Sequence, residues 1–435
     1  MKVFKFGGTS AGSAQRLTNI YKIIRDQGTC MVILSAMSGS TNTLLEISRL
    51  TGEGEREEAR KESLKLKKHY EDTASQLFED TLASKQYIDQ IFDGIESHIA
   101  DYQGKLSENT IVATGERIST FLFHQLLLSH GISSALLDAT TLIHLNGDNE
   151  PDVEDIRQRL HSALIKIPEV QVYISQGFIC SNNKGEISNL GRGGSDYSAS
   201  LFGAAVGSEE IQIWTDIDGV QNNDPRYVEG THPIRKLLFD EAAELAYFGA
   251  KILHPSCVLP AQKANIPVLL KNTLHPDDPG TMISKERNGS GFKAVAARDN
   301  ITAIKIKSSR MLLAYGFLRK IFEVFESYKT SIDMITTSEV AVSITIDDTS
   351  HLQEILEALE SLGTVTVENN KTIVGIVGTI VADETGYAHA LFTALKDIPI
   401  RMISYGASPH NISILINSED KLRTLQALNS NLFQS

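Results

Sequence analysis

Cysteine is scarce in this chain of 435 residues: Cys30, Cys180 and Cys257 stand far apart and in no metal-type pairing. That spacing excludes a disulfide framework and fits inert thiols in a reducing cytosol. Basic charge is also short, with 41 lysines and arginines against 54 acids and a net charge of −13. Nucleic acid and anionic membranes are therefore poor partners, and any anionic ligand must be held by local positive groups. No apolar run approaches the ~20 residues of a membrane span. The N-terminus runs directly into an apolar stretch, so no signal or transit peptide is expected and the chain reads as cytoplasmic. Two glycine motifs are missing. Without Gly-x4-Gly-Lys-Ser/Thr there is no Walker A loop, and without Gly-x-Gly-x-x-Gly there is no dinucleotide fingerprint.

What is present is an ordinary globular composition, 41% hydrophobic and 22% charged, long enough for two to four domains. Apolar, β-branched runs at Val3–Phe6, Met31–Ala36, Thr110–Ala113, Ser134–Leu137, Val170–Ser175, Ile211–Thr215 and Val268–Lys271 alternate with helical patterns. Such alternation predicts a parallel-rich sheet sandwiched by helices, with ligands at the carboxyl ends of its strands. Glu53 to Asp72, dense in mixed charge, reads as a solvated helical excursion without a function.

The chemistry-bearing residues follow the strands. Lys5-Phe6-Gly7-Gly8-Thr9-Ser10 reads as strand, glycine turn and helix start, an anion pocket with a lysine beside it. Ser35 to Asn42 is a small, hydroxyl-rich loop ahead of a helix. Thr114-Gly115-Glu116-Arg117 is expected to follow the third strand and open a helix from Ile118. Glu116 is then either a carboxylate for a substrate ammonium or a first-turn surface acid suited to the helix dipole. A hairpin signal at Asn182–Gly185 delivers the chain into Leu190-Gly191-Arg192-Gly193-Gly194-Ser195-Asp196. Three glycines around an arginine are costly for a mere connector; Arg192 can grip a carboxylate bidentately. Asp196 can orient a lysine or help hold a metal. Asp216, Asp218, Asp224 and Arg226 supply further metal or nucleotide contacts, or simple turns, and Lys251 follows a helix-breaking glycine.

Residues 284–300, charged and rich in glycine and serine, read as a domain boundary. Beyond it, Ile332-Asp333-Met334-Ile335 is echoed by Ile400-Arg401-Met402-Ile403. Each copy reads as strand, helix, strand, strand, helix, strand, a small α+β unit suited to sensing a ligand or to dimerising.

Together these segments resemble the aspartate kinases of the amino-acid kinase superfamily, followed by two ferredoxin-like ACT domains. The matching stretches are Lys5–Ser10, Ser35–Asn42, Gly115–Glu116, Gly191–Asp196, Trp214–Asp218, Asp224–Arg226, Gly249–Pro255 and, in the second part, Ser331–Glu339. The resemblance implies a catalytic domain over 1–284, a linker over 285–300 and regulatory units over 301–375 and 376–435, with strands exchanged between the two units. It implies ATP and Mg²⁺ as cofactors and L-aspartate as substrate, giving 4-phospho-L-aspartate, the first step toward lysine, threonine and methionine. Lys5, Gly7 and Gly8 would act on the transferring phosphoryl group, with Asp196 orienting Lys5 or the metal. No direct metal ligand is assigned. Ser35, Thr41, Glu116 and Arg192 would bind aspartate. Thr215, Asp216, Gln221, Arg226, Lys251 and Ile252 would surround the nucleotide, together with Lys5 and Gly8. Gln221 stands where the family often has tyrosine, a departure that bears on packing against adenine or ribose. Met311, Phe317, Ser331, Asp333, Thr337 and Ser338 would form the site of a feedback effector, lysine, in a homodimer or higher homo-oligomer associated through the ACT domains. With Ser435 as the last residue, no homoserine dehydrogenase part is expected, and the chain reads as monofunctional. The competing readings are a glutamate or acetylglutamate kinase and an amino-acid sensor with a dead kinase core.

Overall fold

The computed structural model describes residues 1–249, 255–287, 289–308, 315–380 and 385–433. The chain divides into two compact units. The first comprises Met1–Val220, Arg235–Phe239 and Leu253–Glu286, and the second Gln221–Ile234, Asp240–Ile252 and Arg287–Ser435.

The first unit is built on an eight-stranded sheet. Its strands are β1 (Lys2–Phe6), β2 (Cys30–Leu34), β3 (Ser134–Leu137), β4 (Val172–Gln176), β7 (Ile211–Thr215), β8 (Lys236–Leu238), β9 (Val268–Asn272) and β10 (Thr281–Ser284). They lie in the order β3-β4-β2-β1-β7-β9-β10-β8, and only β9 and β10 pair antiparallel. A short hairpin of β5 (Ile179–Ser181) and β6 (Ile187–Asn189) stands apart from it. β2 is buried along its whole length, and β1 from Val3 onward, as continuous apolar strands covered on both faces must be. The helices over them supply Leu17, Ile20, Leu44, Ile47, Tyr70, Ile118 and Phe123 to one shared core.

One expected strand is not a strand. Thr110–Ala113 lies inside a helix running from Lys105 to Ser129. A short β-branched apolar run is ambiguous between a buried strand and a buried helix. Here the helix is buried nearly all round, from Ile111 through Thr120, so its pattern shows no polar stripe. The charged excursion is helical, Arg56–Leu77, but one face buries Ala59, Leu66 and Tyr70.

The second unit carries a six-stranded antiparallel sheet. It contains β11 (Gly291–Lys307), β12 (Ile335–Thr337), β13 (Ala341–Ile346), β14 (Thr364–Thr379), β15 (Ile400–Ser408) and β16 (Asn411–Asn417), in the order β12-β13-β11-β14-β16-β15. β11 and β14 run through both halves of the repeat. Each bends at an asparagine in the left-handed region, Asn300 at φ 62° and Asn370 at φ 55°, where their pairing register shifts. The first half follows the expected order. The second does not: after β16 come a short turn and the helix Lys421–Leu432, and its remaining strand is the N-terminal part of β11. The stretch 285–300 is accordingly no simple linker, because from Gly291 it is already strand. Two segments from within 1–284 also join this unit. The Asn222 and Asn223 amides donate to Asn429 and Leu425 of its last helix, and Val228 packs with Ile376, Ile412 and Leu428.

Candidate active site

In the first unit the parallel strands β1, β2 and β4 end on one edge, and the loops leaving that edge meet around a cleft of about 490 Å³. Its lining includes Lys5, Gly8, Ser35, Thr41, Glu116 and Asp196, brought from positions up to 191 residues apart.

Lys5 is the penultimate residue of β1, and only 9% of it is exposed. Its ammonium lies 2.7 Å from Asp196 Oδ1, in the first turn of the helix Gly194–Val206. The pair leaves a fixed cation facing the cleft. The glycine turn beside it is dictated by space. A Cβ on Gly8 would stand 3.0 Å from the Ala36 carbonyl oxygen, and one on Gly7 3.4 Å from the Lys5 ammonium. The Gly7 amide donates to the Trp214 carbonyl at 3.3 Å and Gly7 is outside the lining, whereas Gly8 and Thr9 line the cleft. Ser10 ties this turn to the neighbouring strand ends. Its hydroxyl is 2.6 Å from Thr273 Oγ1, which donates to the Thr215 carbonyl at 2.9 Å.

The cleft also holds a buried acid. Glu116 sits in the middle of the long helix, not at its start, and is 3% exposed, so the surface-acid reading is excluded. Its Oε1 accepts from the Ala36 amide at 3.2 Å, and its Oε2 is buried without a partner among the described residues. Burial without a compensating cation pushes its carboxyl up from 4.5 to about 8. A cation placed beside it would compensate the buried carboxylate. Ser119, one turn further along the helix, donates to the Ser35 carbonyl at 2.8 Å and so holds the serine-rich loop against the acid.

Arg192 corrects an expectation in detail. Gly191, Gly193, Gly194, Ser195 and Asp196 line the cleft, but the Arg192 side chain is exposed and is not among the lining groups. Gly191 and Gly193 flank it with φ of 71° each, a conformation that sets the direction of the loop. Thr215 and Asp216 lie at the end of β7, beside β1, outside the lining. Gln221 and Arg226 belong to the second unit, where Arg226 is exposed and paired with Asp224 at 2.6 Å. Lys251, Ile252 and Met311 lie outside the described residues. In the second unit Phe317 packs in the core of the first repeat, Ser331, Thr337 and Ser338 are exposed, and the Asp333 side chain is buried.

Sequence reasoning missed Tyr70. The excursion given no function carries this fully buried ring; burial raises its pKa, and its hydroxyl lies beside the Ser40 side chain. It stands close behind Gly115, 3.8 Å from where a Cβ would be. The only signal was an aromatic residue in an otherwise charged helical stretch.

This fold and cleft define an amino acid kinase with a regulatory extension. The amino acid kinase family model matches residues 1–272, and an ACT domain model matches residues 374–432. The chain is 34% identical to the lysine-sensitive aspartokinase 3 of Escherichia coli over 449 residues, covering 99% of each chain. It is also 34% identical to the chloroplastic aspartokinase 1 of Arabidopsis thaliana, covering all of this chain and 80% of that one. The crystal structure of E. coli aspartokinase III with aspartate and ADP (R-state) matches it with a TM-score of 0.84 at 33% identity over the whole of both chains. The T-state of that enzyme, with lysine and aspartate, matches with a TM-score of 0.81 at 32% identity, again over both whole chains. The chain belongs to the aspartokinase family.

Proposed function

We propose that this chain transfers the γ-phosphoryl group of ATP to the side-chain carboxylate of L-aspartate, and that a second amino acid, lysine, restrains it. The observation that carries the reading is the pair of groups lining one cleft: Lys5, held by Asp196, and a buried acid, Glu116, whose Oε2 has no partner among the described residues. An amino-acid ammonium fits the acid, and a phosphoryl group fits the lysine. A neutral or purely anionic substrate leaves Glu116 stranded.

Little covalent help is needed. A carboxylate oxygen of aspartate attacks the γ-phosphorus, the bond to the bridging oxygen breaks, and ADP leaves with those electrons. No proton has to move, so no general base is required. The protein contributes alignment and charge stabilisation. Glu116 takes the α-ammonium, Arg192 swings in to the α-carboxylate, and Ser35 and Thr41 line the substrate end. Lys5 and the Gly8 turn act on the phosphoryl oxygens. Thr215 and Asp216, at the end of β7, are the candidates for the nucleotide within the first unit. Among the described residues no three acids, histidines or cysteines gather as a metal site. Mg²⁺ would be held mainly by phosphate oxygens and water, and Asp196 is the candidate for a carboxylate beside it or for orienting Lys5. Asp333 is the acid for the effector ammonium, with Ser331, Thr337 and Ser338 of the same repeat as further candidates. Association as a homodimer through the ACT region and a cytoplasmic location complete the reading.

The test is an ADP-release assay with aspartate, glutamate and acetylglutamate, each with and without lysine. Turnover on aspartate alone, lowered by lysine, is expected. Turnover on glutamate or acetylglutamate instead moves the substrate, and no turnover on any of the three overturns the kinase reading.

A further inference from the structure

Asp333 is already engaged. The backbone N–H just ahead of β12 donates to the Thr345 carbonyl at 2.9 Å, fixing the residue, and its side chain is 2% exposed. Oδ1 accepts from the Tyr247 hydroxyl at 2.6 Å and from Arg298 Nη1 at 3.3 Å. Arg298 also pairs with Asp347, and its guanidinium lies over the Tyr247 ring, 5.2 Å from the centroid. Oδ2 is buried with no partner among the described residues.

The charges do not balance. Two acids, the buried Asp333 and the half-buried Asp347, share the single guanidinium of Arg298, and Tyr247 adds only a neutral O–H. A cationic donor would bind the Asp333 carboxylate more strongly than a phenol does. The matching position of the second repeat is Arg401, which pairs with Glu368 at 2.7 Å, so the surplus acid exists in one half only.

Tyr247 comes from a distant stretch of sequence. It ends the helix Phe239–Tyr247, which follows β8 of the eight-stranded sheet without a break. From Asp240 the helix belongs to the second unit, where Glu241 anchors it to Lys293 at 2.7 Å and Thr379 at 2.8 Å. Its far end is fastened by the Tyr247–Asp333 bond.

We propose that Tyr247 is a built-in competitor of the effector: an amino-acid ammonium takes the Asp333 carboxylate from the Tyr247 hydroxyl, and the freed end of the helix carries inhibition toward β8. This rests on Asp333 being the effector acid. The ligand then binds one arrangement better than the other, which is the requirement for shifting the equilibrium between them. Tyr247 touches no reacting group; it is a positioning residue for regulation.

The test uses the full chain and titrates lysine, and separately threonine, into the wild type, Tyr247→Phe and Tyr247→Leu, by calorimetry and by steady-state kinetics. Both variants should bind the effector roughly three- to tenfold more tightly, since the competitor is gone. Their activity without effector should fall several-fold, because the helix end is already free, and saturating effector should lower it little further; wild-type activity without effector in both variants overturns the transmission through the helix. Wild-type affinity and wild-type inhibition in both variants overturn the competitor and leave the effector site standing. A wild type that binds neither amino acid overturns both. Hydrogen exchange on the wild type gives a readout independent of the variants. The amides of Phe248 and Gly249, bonded to the Glu244 and Ala246 carbonyls, should exchange faster with effector bound, and unchanged rates overturn the release.

Discussion

At the scale of single residues, Glu116 and Lys5 make opposite demands. Glu116 holds its proton in the ligand-free cleft with a pKa of about 8, whereas an unfolded chain releases that proton near 4.5. Its contribution to stability is thus fully present below 4.5 and is lost as pH rises through about 8, because the folded state binds the extra proton in that window. An ammonium ligand requires the charged form. Aspartate affinity should therefore climb with pH up to about 8, and binding at pH 7 should expel close to one proton. Calorimetry in buffers of different ionisation enthalpy measures that proton, and Glu116→Gln should abolish its release while weakening aspartate. Lys5→Ala should instead lower kcat by about 10³-fold or more with a modest change in KM, as expected for a group acting on the transition state. A turnover within a few-fold of wild type would remove Lys5 from the chemistry. Arg192→Ala separates the loop's role from that of its exposed side chain. Aspartate KM should rise with kcat little changed; an unmoved KM means that the guanidinium never reaches the substrate.

At the scale of elements, the long helix Lys105–Ser129 and the loop after β2 work as one part. Gly115 permits their contact: a Cβ there would sit 2.8 Å from Ala36 Cβ and 3.1 Å from Leu44 Cδ1. Gly115→Ala gains helix propensity but overpacks this seam, so a net loss of about 1–3 kcal/mol is expected. Thermal unfolding measures the loss, and a raised aspartate KM should accompany it because Ala36 is the hydrogen-bond partner of Glu116. Elements were legible to different degrees. Strands β1, β3, β7 and β9 were recognisable from continuous apolar runs. The long helix was not, because burial on every side erased the polar stripe that marks a helix in sequence. The second repeat was legible as a copy, and the family resemblance implied an exchange of strands between the units, but not which strand completes the second, the start of β11, since pairing partners are chosen by the assembled sheet.

At the scale of the whole molecule, all three cysteines are buried, and burial pushes the Cys30 and Cys180 thiols up to about 12. Native protein should react with a thiol reagent far more slowly than protein unfolded in guanidinium, where three equivalents should modify promptly. Rapid native labelling would mean frequent opening of the first unit. Among the described residues no helix is long and apolar enough to cross a membrane.

The sequence by itself determined which chemistry the protein carries. A lysine before two glycines, an arginine among three and a repeated α+β pattern are local features, and local backbone sterics and charge suffice to read them. Only the tertiary structure decided that Glu116 is buried and unpaired, that Arg192 stands outside the cleft wall, and that Tyr247 occupies Asp333. Burial and pairing depend on what other segments bring to the same point, and a linear pattern of residue types does not record which segments those are.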